Sequence, residues 1–195
     1  MKRFVLTAMV LLFLCPFAYS APLTNVIARM LIDEDSGTCT QGSENASDTC
    51  SEEDGYSALL ATNAKLTQFT AQDTYSSYGL RVHMRSGSGT SVMVCRIGTS
   101  SDLSSYMASA TLSTSVTTPA GEDVIGAWDS SVSITTSTTY YIGCLEISGA
   151  VELNRDSAGG CANMNERYAS DSGSPWDLDQ TSDYDYNWGM IECAP

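Results

Sequence analysis

Alternating apolar and polar residues predict a succession of short β-strands along most of this chain. The clearest is Thr138–Ser148, whose β-branched and aromatic residues suit a pleated, half-buried surface. Alternation divides this strand into two faces, and we place Tyr141, Gly143, Leu145 and Ile147 against the core. The residues between them should then point away from the core.

Further strands are predicted on both sides of this one. Lys65–Ala71 and Tyr78–Arg85 are half-buried strands, and the second carries Arg81, His83 and Arg85 on its outer face. The remaining predicted strands are Ser91–Ile97, Tyr106–Leu112, Asp123–Ile134, Ala150–Arg155 and Tyr184–Cys193. Turns rich in Gly, Ser, Asp and Thr separate them, and no amphipathic helix is predicted. We therefore expect an all-β fold, an antiparallel two-sheet β-sandwich of the jelly-roll type.

Residues 1–20 have the pattern of a secretory signal peptide. Lys2 and Arg3 precede the apolar run Phe4–Phe17, and small residues follow it. The run contains Pro16 and is shorter than the roughly 20 residues of a membrane-spanning helix. We predict a secreted protein, extracellular or periplasmic, with no membrane insertion after removal of the signal peptide.

The rest of the chain is predicted to form one domain, 21–195, in two parts. Residues 21–64 should form an N-terminal strand or a buried lead-in, Thr24–Ile32, followed by an acidic loop up to Gly55 that is held by a disulfide, because this loop has little apolar surface to bury. Tyr56–Ala64 could then form a short strand or a helical turn. Residues 65–195 should form the β-sandwich.

The chain is strongly acidic, with a formal charge of −14. Removal of Lys2 and Arg3 leaves 7 of the 9 basic residues against 23 acidic ones, a formal charge of −16. Such a surface repels phosphate groups and anionic lipids, so we expect neither nucleic acid nor membranes as partners. Cations and neutral ligands remain.

Six cysteines follow the predicted signal peptide, and an even number in an oxidising compartment predicts three disulfides. A zinc site is not expected, because the sequence has no C-x-x-C pair and His83 is its single histidine. The first expected pair would close a polar loop, the second would bridge the two sheets, and the third would hold the last segment. The pairs are Cys39–Cys50, Cys95–Cys144 and Cys161–Cys193.

The sequence carries no recognisable catalytic motif. The nucleophile elbow, the zinc-protease helix, the phosphate-binding loop and the dinucleotide fingerprint are all missing. A strand surface position suits His83 better than a role as a general base. The paired acids of glycoside hydrolysis are the remaining enzymatic possibility, with Glu146, Glu152 and Glu166 as candidates. We expect a protein that is not an enzyme.

The acidic and aromatic segment Trp176–Trp188 suggests two kinds of binding. Its carboxylates could supply oxygen ligands to a calcium ion, although an acidic, solvated loop that leads into an edge strand is the preferred interpretation. The candidate ligands are Asp177, Asp179, Asp183 and Asp185. Its aromatic rings could stack on sugar rings, although alternation with Met190 predicts that some of them belong to the core. These are Trp176, Tyr184, Tyr186 and Trp188.

Several segments together resemble secreted jelly-roll domains, the carbohydrate-binding-module-like sandwiches of bacterial surface proteins, secreted enzymes and phage structural proteins. The segments are Gly79–Val82, Val92–Gly98, Thr138–Gly143, Ser174–Trp176 and Asp183–Tyr186. The resemblance implies an accessory or adhesive module, often with a structural calcium ion. It favours binding of a carbohydrate or an extracellular polymer. The alternatives are a structural, self-assembling extracellular subunit and a glycan-active hydrolase or lyase.

Overall fold

The computed structural model describes residues 42–51, 55–156, 161, 164–170, 173–182 and 184–195. The predicted signal peptide, the strand Thr24–Ile32 and Cys39 lie outside these residues. Within the described part of the chain, thirteen β-strands and no helix are present. Accordingly, no helix there is long and apolar enough to cross a membrane.

The strands are numbered in chain order. They are β1 (Glu44–Cys50), β2 (Gly55–Ala58), β3 (Lys65–Thr70), β4 (Tyr75–Ser86), β5 (Ser91–Gly98), β6 (Ala108–Thr114), β7 (Glu122–Ile134), β8 (Thr139–Ser148), β9 (Val151–Asp156), β10 (Met164–Tyr168), β11 (Gln180–Ser182), β12 (Asp185–Tyr186) and β13 (Trp188–Ile191).

The strands form two antiparallel sheets. The first sheet has the order β1-β13-β4-β9-β12, with β2 on β9 and β7 on β4; the second has the order β11-β10-β3-β8-β5-β6. Three antiparallel pairs are nested along the chain, with β5–β6 innermost, then β4–β7, then β3–β8 outermost. Nested pairing of this kind is how a jelly roll winds its strands between two sheets. The prediction of an all-β, two-sheet sandwich is confirmed.

The core lies between the two sheets. Leu80, Val82 and Met84 of β4 alternate into it, as predicted, and Trp188 of β13 packs with its ring centroid 5.0 Å from that of Phe69. Burial of such apolar side chains is the main force that holds the sheets together, at about 25 cal/mol per Å².

The predicted orientation of β8 is wrong. Tyr140, Ile142 and Cys144 face the core, whereas Ile147, predicted to be inside, is 58% exposed. The alternation was misleading because the outer face of β8 is also apolar. A second, smaller cluster covers that face, and it consists of Ala64, Leu103, Trp176 and Leu178, packed against Val94, Tyr141 and Leu145.

Within the predicted acidic loop, Glu44–Cys50 forms strand β1 of the first sheet rather than a loop. Strand β2 overlaps Tyr56–Ala64, where a short strand was one of the two predictions. Strand pairing here depends on backbone hydrogen bonds and on satisfied polar side chains rather than on apolar area. Asn45 Oδ1 accepts from the N–H groups of Ser47 and Asp48, at 3.0 and 2.9 Å. Asp48 in turn accepts from the Tyr75 hydroxyl at 2.8 Å. A polar strand is therefore stable in this position.

The structure bonds Cys95 to Cys144, as predicted, but the bridge joins neighbouring strands rather than the two sheets. These residues are directly opposite each other on β5 and β8, with Cα atoms 4.0 Å apart. Cys50 is bonded to Cys161, so the predicted pairs Cys39–Cys50 and Cys161–Cys193 are wrong. Spacing along the chain was a poor guide because the fold brings the end of β1 next to Cys161, which is 111 residues further along the chain.

Candidate functional site

A cleft opens to solvent at the edge of the second sheet formed by β3, β10 and β11, on the side of the sheet that faces the first sheet. Its volume is about 420 Å³, within the range of roughly 300–1,000 Å³ that is typical of ligand pockets. It is lined by Leu60, Asn63, Lys65, Tyr168, Ala169, Ser170 and Gln180. We refer to these residues as the β10 cleft.

One row of side chains forms the floor of the β10 cleft. Tyr168 of β10 is directly opposite Lys65 on one side and Gln180 on the other. Residues opposite each other in a sheet point to the same face, with strands about 4.8 Å apart. Lys65 is also opposite the fully buried Cys144, so the row begins at the core and ends at the exposed Gln180.

Backbone hydrogen bonds hold the wall of the cleft in place. The segment from Leu59 to Ala64 is anchored at both ends, because the Leu59 N–H donates to Val151 O at 2.9 Å and the Ala64 N–H donates to Pro175 O at 2.8 Å. Ala64 O accepts from the Ala169 N–H at 2.8 Å. The cleft is therefore shaped by ordered backbone on more than one side.

A buried polar network lies behind the floor. The Tyr186 hydroxyl donates to Glu166 Oε1 at 2.6 Å, and this bond joins the first sheet to the second. Lys65 Nζ donates to Ser57 Oγ at 3.4 Å, a second link between the sheets. The Arg155 guanidinium lies over the ring of Tyr184, 3.8 Å from its centroid. Polar contacts thus replace apolar packing at this end of the sandwich.

Burial shifts the two opposite charges of this network toward their neutral forms. Desolvation lowers the pKa of Lys65, and the nearby carboxylate of Glu166 only partly opposes this. Desolvation also raises the pKa of Glu166, against the effect of the Tyr186 hydrogen bond and of Lys65. The same burial, together with Glu166, raises the pKa of Tyr186. Neither charge is fully compensated by its surroundings.

The floor residues have few partners in the protein. Among the described residues, the hydrogen bond to Ser57 is the single one that Lys65 Nζ forms, and no carboxylate lies within 4.0 Å of it. The side chains of Tyr168 and Gln180 form no hydrogen bond within the same part of the chain. An ammonium, a phenol and an amide therefore remain available to a ligand.

The aromatic residues predicted to bind sugars are mostly buried. Tyr186 and Trp188 are in the main core, at 1% and 0% exposure, and Trp176, at 8%, packs in the outer cluster. One face of Trp176 is covered by Arg96, whose guanidinium carbon is 3.9 Å from the ring centroid. Tyr184 is half-buried and contacts Arg155. Tyr186, Trp188 and Trp176 therefore pack within the fold rather than on its surface.

The predicted calcium ligands do not converge in the described residues. The backbone of Asp177 forms an isolated β-bridge with that of Asp102, Asp179 accepts from the N–H and hydroxyl of Ser170, and buried Asp185 accepts from the Cys161 N–H at 2.8 Å. Asp183 lies outside the described residues. In the part of the chain that the structure describes, no three His, Cys, Asp or Glu side chains group around a point where a metal ion would fit. Calcium binding stays a prediction that these contacts do not support.

The cationic outer face of β4 is a second polar cluster, and it is satisfied internally. Arg81 forms an ion pair with Glu44 at 2.9 Å and a hydrogen bond with Asn187 at 2.5 Å. His83 Nδ1 is 2.9 Å from Asp123 Oδ1, and Nε2 is 2.8 Å from Ala120 O. Both imidazole nitrogens of His83 are thus hydrogen-bonded within the protein.

Asp123 is the carboxylate that holds this cluster together. Burial acts to raise its pKa, but the hydrogen bond from His83 and the charge of Arg81 outweigh burial and lower the pKa below the usual value. The arrangement stabilises the fold by pairing Arg81 with a carboxylate and by holding the His83 ring with a hydrogen bond.

The three glutamates considered for glycoside hydrolysis have separate partners. Glu146 accepts from the Val151 N–H at 3.0 Å, and Glu152 accepts from Arg85 Nε at 2.5 Å. Glu166 is bound to Tyr186 in the interior. They are not assembled as a pair around a shared cleft.

Comparison of the chain with models of known protein families and with curated proteins finds no match. The β10 cleft was not predicted from the sequence. One signal could have indicated it: after Lys2, Lys65 is the single lysine, and it stands at the start of a half-buried strand. A lone ammonium in that position is uncommon in a chain that is so acidic.

Proposed function

We propose that this protein is a non-catalytic binding module that binds a saccharide in the β10 cleft. The observation that carries the proposal is the row Lys65, Tyr168 and Gln180, whose polar groups have few or no partners among the residues that the structure describes. Saccharides present many hydroxyl groups at short intervals, so a row of donors and acceptors about 4.8 Å apart suits them. The predicted class of function is retained, but its site moves from the buried aromatic residues to the cleft.

Tyr168 supplies the second property that such a site needs. Its ring is half-buried, and it stands between the ammonium and the amide on the floor of the cleft. The apolar face of a sugar ring can pack on an aromatic ring while its hydroxyls bond to the neighbours. Leu60, 51% exposed, adds apolar surface on the wall.

The two-sheet sandwich is compatible with this proposal, since sandwiches of the jelly-roll type commonly present binding sites on their surface. The resemblance to carbohydrate-binding-module-like domains therefore supports the proposal at the level of the fold. Secretion, inferred from the signal peptide and from disulfide bonds, supports it at the level of compartment.

The self-assembling alternative has less support. Edge strand β6, which pairs with β5 in the described residues, would be the place for another chain to add a strand. At this edge the N–H and the hydroxyl of Ser109 already donate to Asp129, at 3.1 and 2.9 Å. A charged side chain at an edge opposes strand addition.

Binding to an array of glycans tests the proposal, with the purified protein compared with Tyr168→Ala and Gln180→Ala. We expect Tyr168→Ala to weaken binding about tenfold, the effect of one lost aromatic contact. Tyr106→Ala is the matched control, because Tyr106 is 42% exposed and lies outside the cleft. Equal binding by wild type and Tyr168→Ala, or binding by no glycan at all, would contradict the proposal.

A further inference from the structure

The β10 cleft is electrostatically unlike the rest of the molecule. The chain as a whole has a formal charge of −14, yet among the described residues that line the cleft Lys65 is the single charged one. Arg155 is close enough to Lys65 to add a second positive charge to its surroundings. The overall charge predicts a surface that avoids anions, and the cleft is a local exception.

Lys65 is also poorly compensated by its own protein. Its ammonium has three N–H donors but one hydrogen bond within the described residues, at 3.4 Å. The nearby carboxylate, Glu166, is 4% exposed and accepts a bond from Tyr186. A partly desolvated cation gains most from a partner that is itself an anion, because charge-assisted hydrogen bonds are about twice as strong as neutral ones.

We propose that the saccharide bound in the β10 cleft is acidic, and that its carboxylate pairs with Lys65 at the inner end of the floor. This inference rests on the proposed function and adds the class of sugar. A uronic acid is the simplest ligand of this kind, since its carboxylate and its hydroxyls are on the same ring.

The charges along the cleft also orient the ligand. The floor runs inward to Lys65, opposite buried Cys144, and outward to Gln180. Asp179, next to Gln180, is bound to Ser170 at the outer end, so a carboxylate there would meet a like charge. The ligand therefore enters with its acidic group first, and this favours an acidic sugar at a chain end or on a side branch over one inside a linear chain.

The negative charge of the molecule does not prevent this binding. At physiological ionic strength, charges separated by more than about 8 Å are largely screened. A carboxylate in direct contact with Lys65 is closer than that, and it is partly shielded from solvent. The acidic surface should slow the approach of an anion more than it weakens the bound state.

Matched pairs of sugars test the inference. A methyl uronide and the corresponding neutral methyl glycoside, in the gluco and galacto series, differ in one carboxylate, and acetate serves as a probe of the carboxylate alone. Calorimetric titration of the full protein should show about ten- to one-hundred-fold tighter binding of the uronide than of its neutral counterpart. Lys65→Met should remove that difference, because it weakens binding of the uronide far more than binding of the neutral glycoside, while Lys65→Arg should retain most of it.

A chemical measurement checks that the effect arises at Lys65. Acylation of Lys65 by an amine-reactive reagent, followed by peptide mass spectrometry, should be slowed by the uronide and not by the neutral glycoside. This readout does not depend on whether a variant folds well, because it uses the unaltered protein.

The possible results separate the two proposals. Equal affinity for uronide and neutral glycoside, or discrimination that persists in Lys65→Met, overturns the acidic-ligand inference and leaves the saccharide module standing. Protection of Lys65 by acetate as strong as that by the uronide overturns it as well, since the sugar ring would then contribute nothing. No binding by any of these sugars or by the glycan array overturns both proposals.

Discussion

The hydrogen bond from Tyr186 to Glu166 allows a quantitative test of the polar interior behind the cleft. Tyr186→Phe keeps the ring in the core but removes the hydroxyl that donates to Glu166 Oε1 at 2.6 Å. Glu166 Oε2 is already buried without a hydrogen-bond partner in the described residues, so the variant leaves both oxygens unsatisfied. A buried acceptor that loses its partner costs about 1–3 kcal/mol, and more when it is charged.

The cost should depend on pH, with a sign that follows from the pKa. Because burial raises the pKa of Glu166, the folded state binds this proton more tightly than the unfolded state does. Protonation of Glu166 therefore stabilises the folded state fully below the ordinary glutamate pKa, and this stabilisation is lost as the pH rises toward the raised pKa of the folded state. The Tyr186 bond favours the charged form, so its removal should cost about 1 kcal/mol near pH 4 and about 2–3 kcal/mol near pH 8.

Urea unfolding followed by tryptophan fluorescence measures these free energies. Trp188 and Trp128 are buried in the main core and should report its exposure to solvent. Tyr141→Phe is the matched control, because the Tyr141 hydroxyl has no hydrogen bond in the described residues and its loss should change stability by less than about 0.5 kcal/mol.

Two further variants complete this test. In Glu166→Gln, the fall in stability above the ordinary glutamate pKa should disappear, because that residue no longer titrates. In Glu166→Leu with Tyr186→Phe, both polar partners are replaced, and the net change should be within about 1 kcal/mol. Two results would contradict this account of Glu166: a Tyr186→Phe variant as stable as the wild type near pH 8, or a Glu166→Gln variant whose free energy of unfolding depends on pH as that of the wild type does.

Three other predictions concern the frame that supports the cleft. The disulfide Cys95–Cys144 spans a sequence separation of 49, and replacing both residues with Ala should cost about 4 kcal/mol in urea unfolding; an unchanged midpoint would contradict this. Gly79→Ala should lower the melting temperature, because the added Cβ would lie 2.6 Å from the Gly126 carbonyl oxygen of β7. An unchanged melting temperature would mean that β7 can shift away from the new methyl group without cost. Because the pKa of Asp123 is lowered in the folded state, its carboxylate stabilises the fold above the ordinary aspartate pKa, and this stabilisation is lost as the pH falls. In Asp123→Asn the free energy of unfolding should therefore fall less steeply at acidic pH than in the wild type. The same dependence on acidic pH in both proteins would contradict this prediction.

The fold was predictable because strand alternation is a local property. In Tyr78–Arg85 one face is apolar and the other charged, and the structure buries Leu80, Val82 and Met84 as expected. The prediction of which face of β8 is buried was wrong because both faces are apolar, so the alternation of side chains alone does not indicate which face packs against the other sheet. The loops that cover the outer face come from distant segments, among them Leu103 and Leu178.

The strands that form the cleft were the hardest to predict. β10 and β11 are short and polar, and they are stabilised by pairing with β3 and with each other rather than by an apolar pattern of their own. Likewise, the predicted strand Tyr184–Cys193 is divided at Asn187, whose N–H donates to Asn154 O across the first sheet. Such contacts depend on which strands meet, and sequence spacing does not contain that information.

The difference between overall charge and local charge explains why the composition pointed away from the ligand that we propose. Net charge describes the field at a distance, where salt screens it, and it disfavours long anionic polymers spread over the surface. Binding in a cleft depends instead on the few groups within contact distance, and here those include Lys65, with one long hydrogen bond of its own. An acidic protein with one partly desolvated lysine in a cleft can therefore select a small acidic sugar while it repels larger polyanions, and the two properties together would sharpen its specificity.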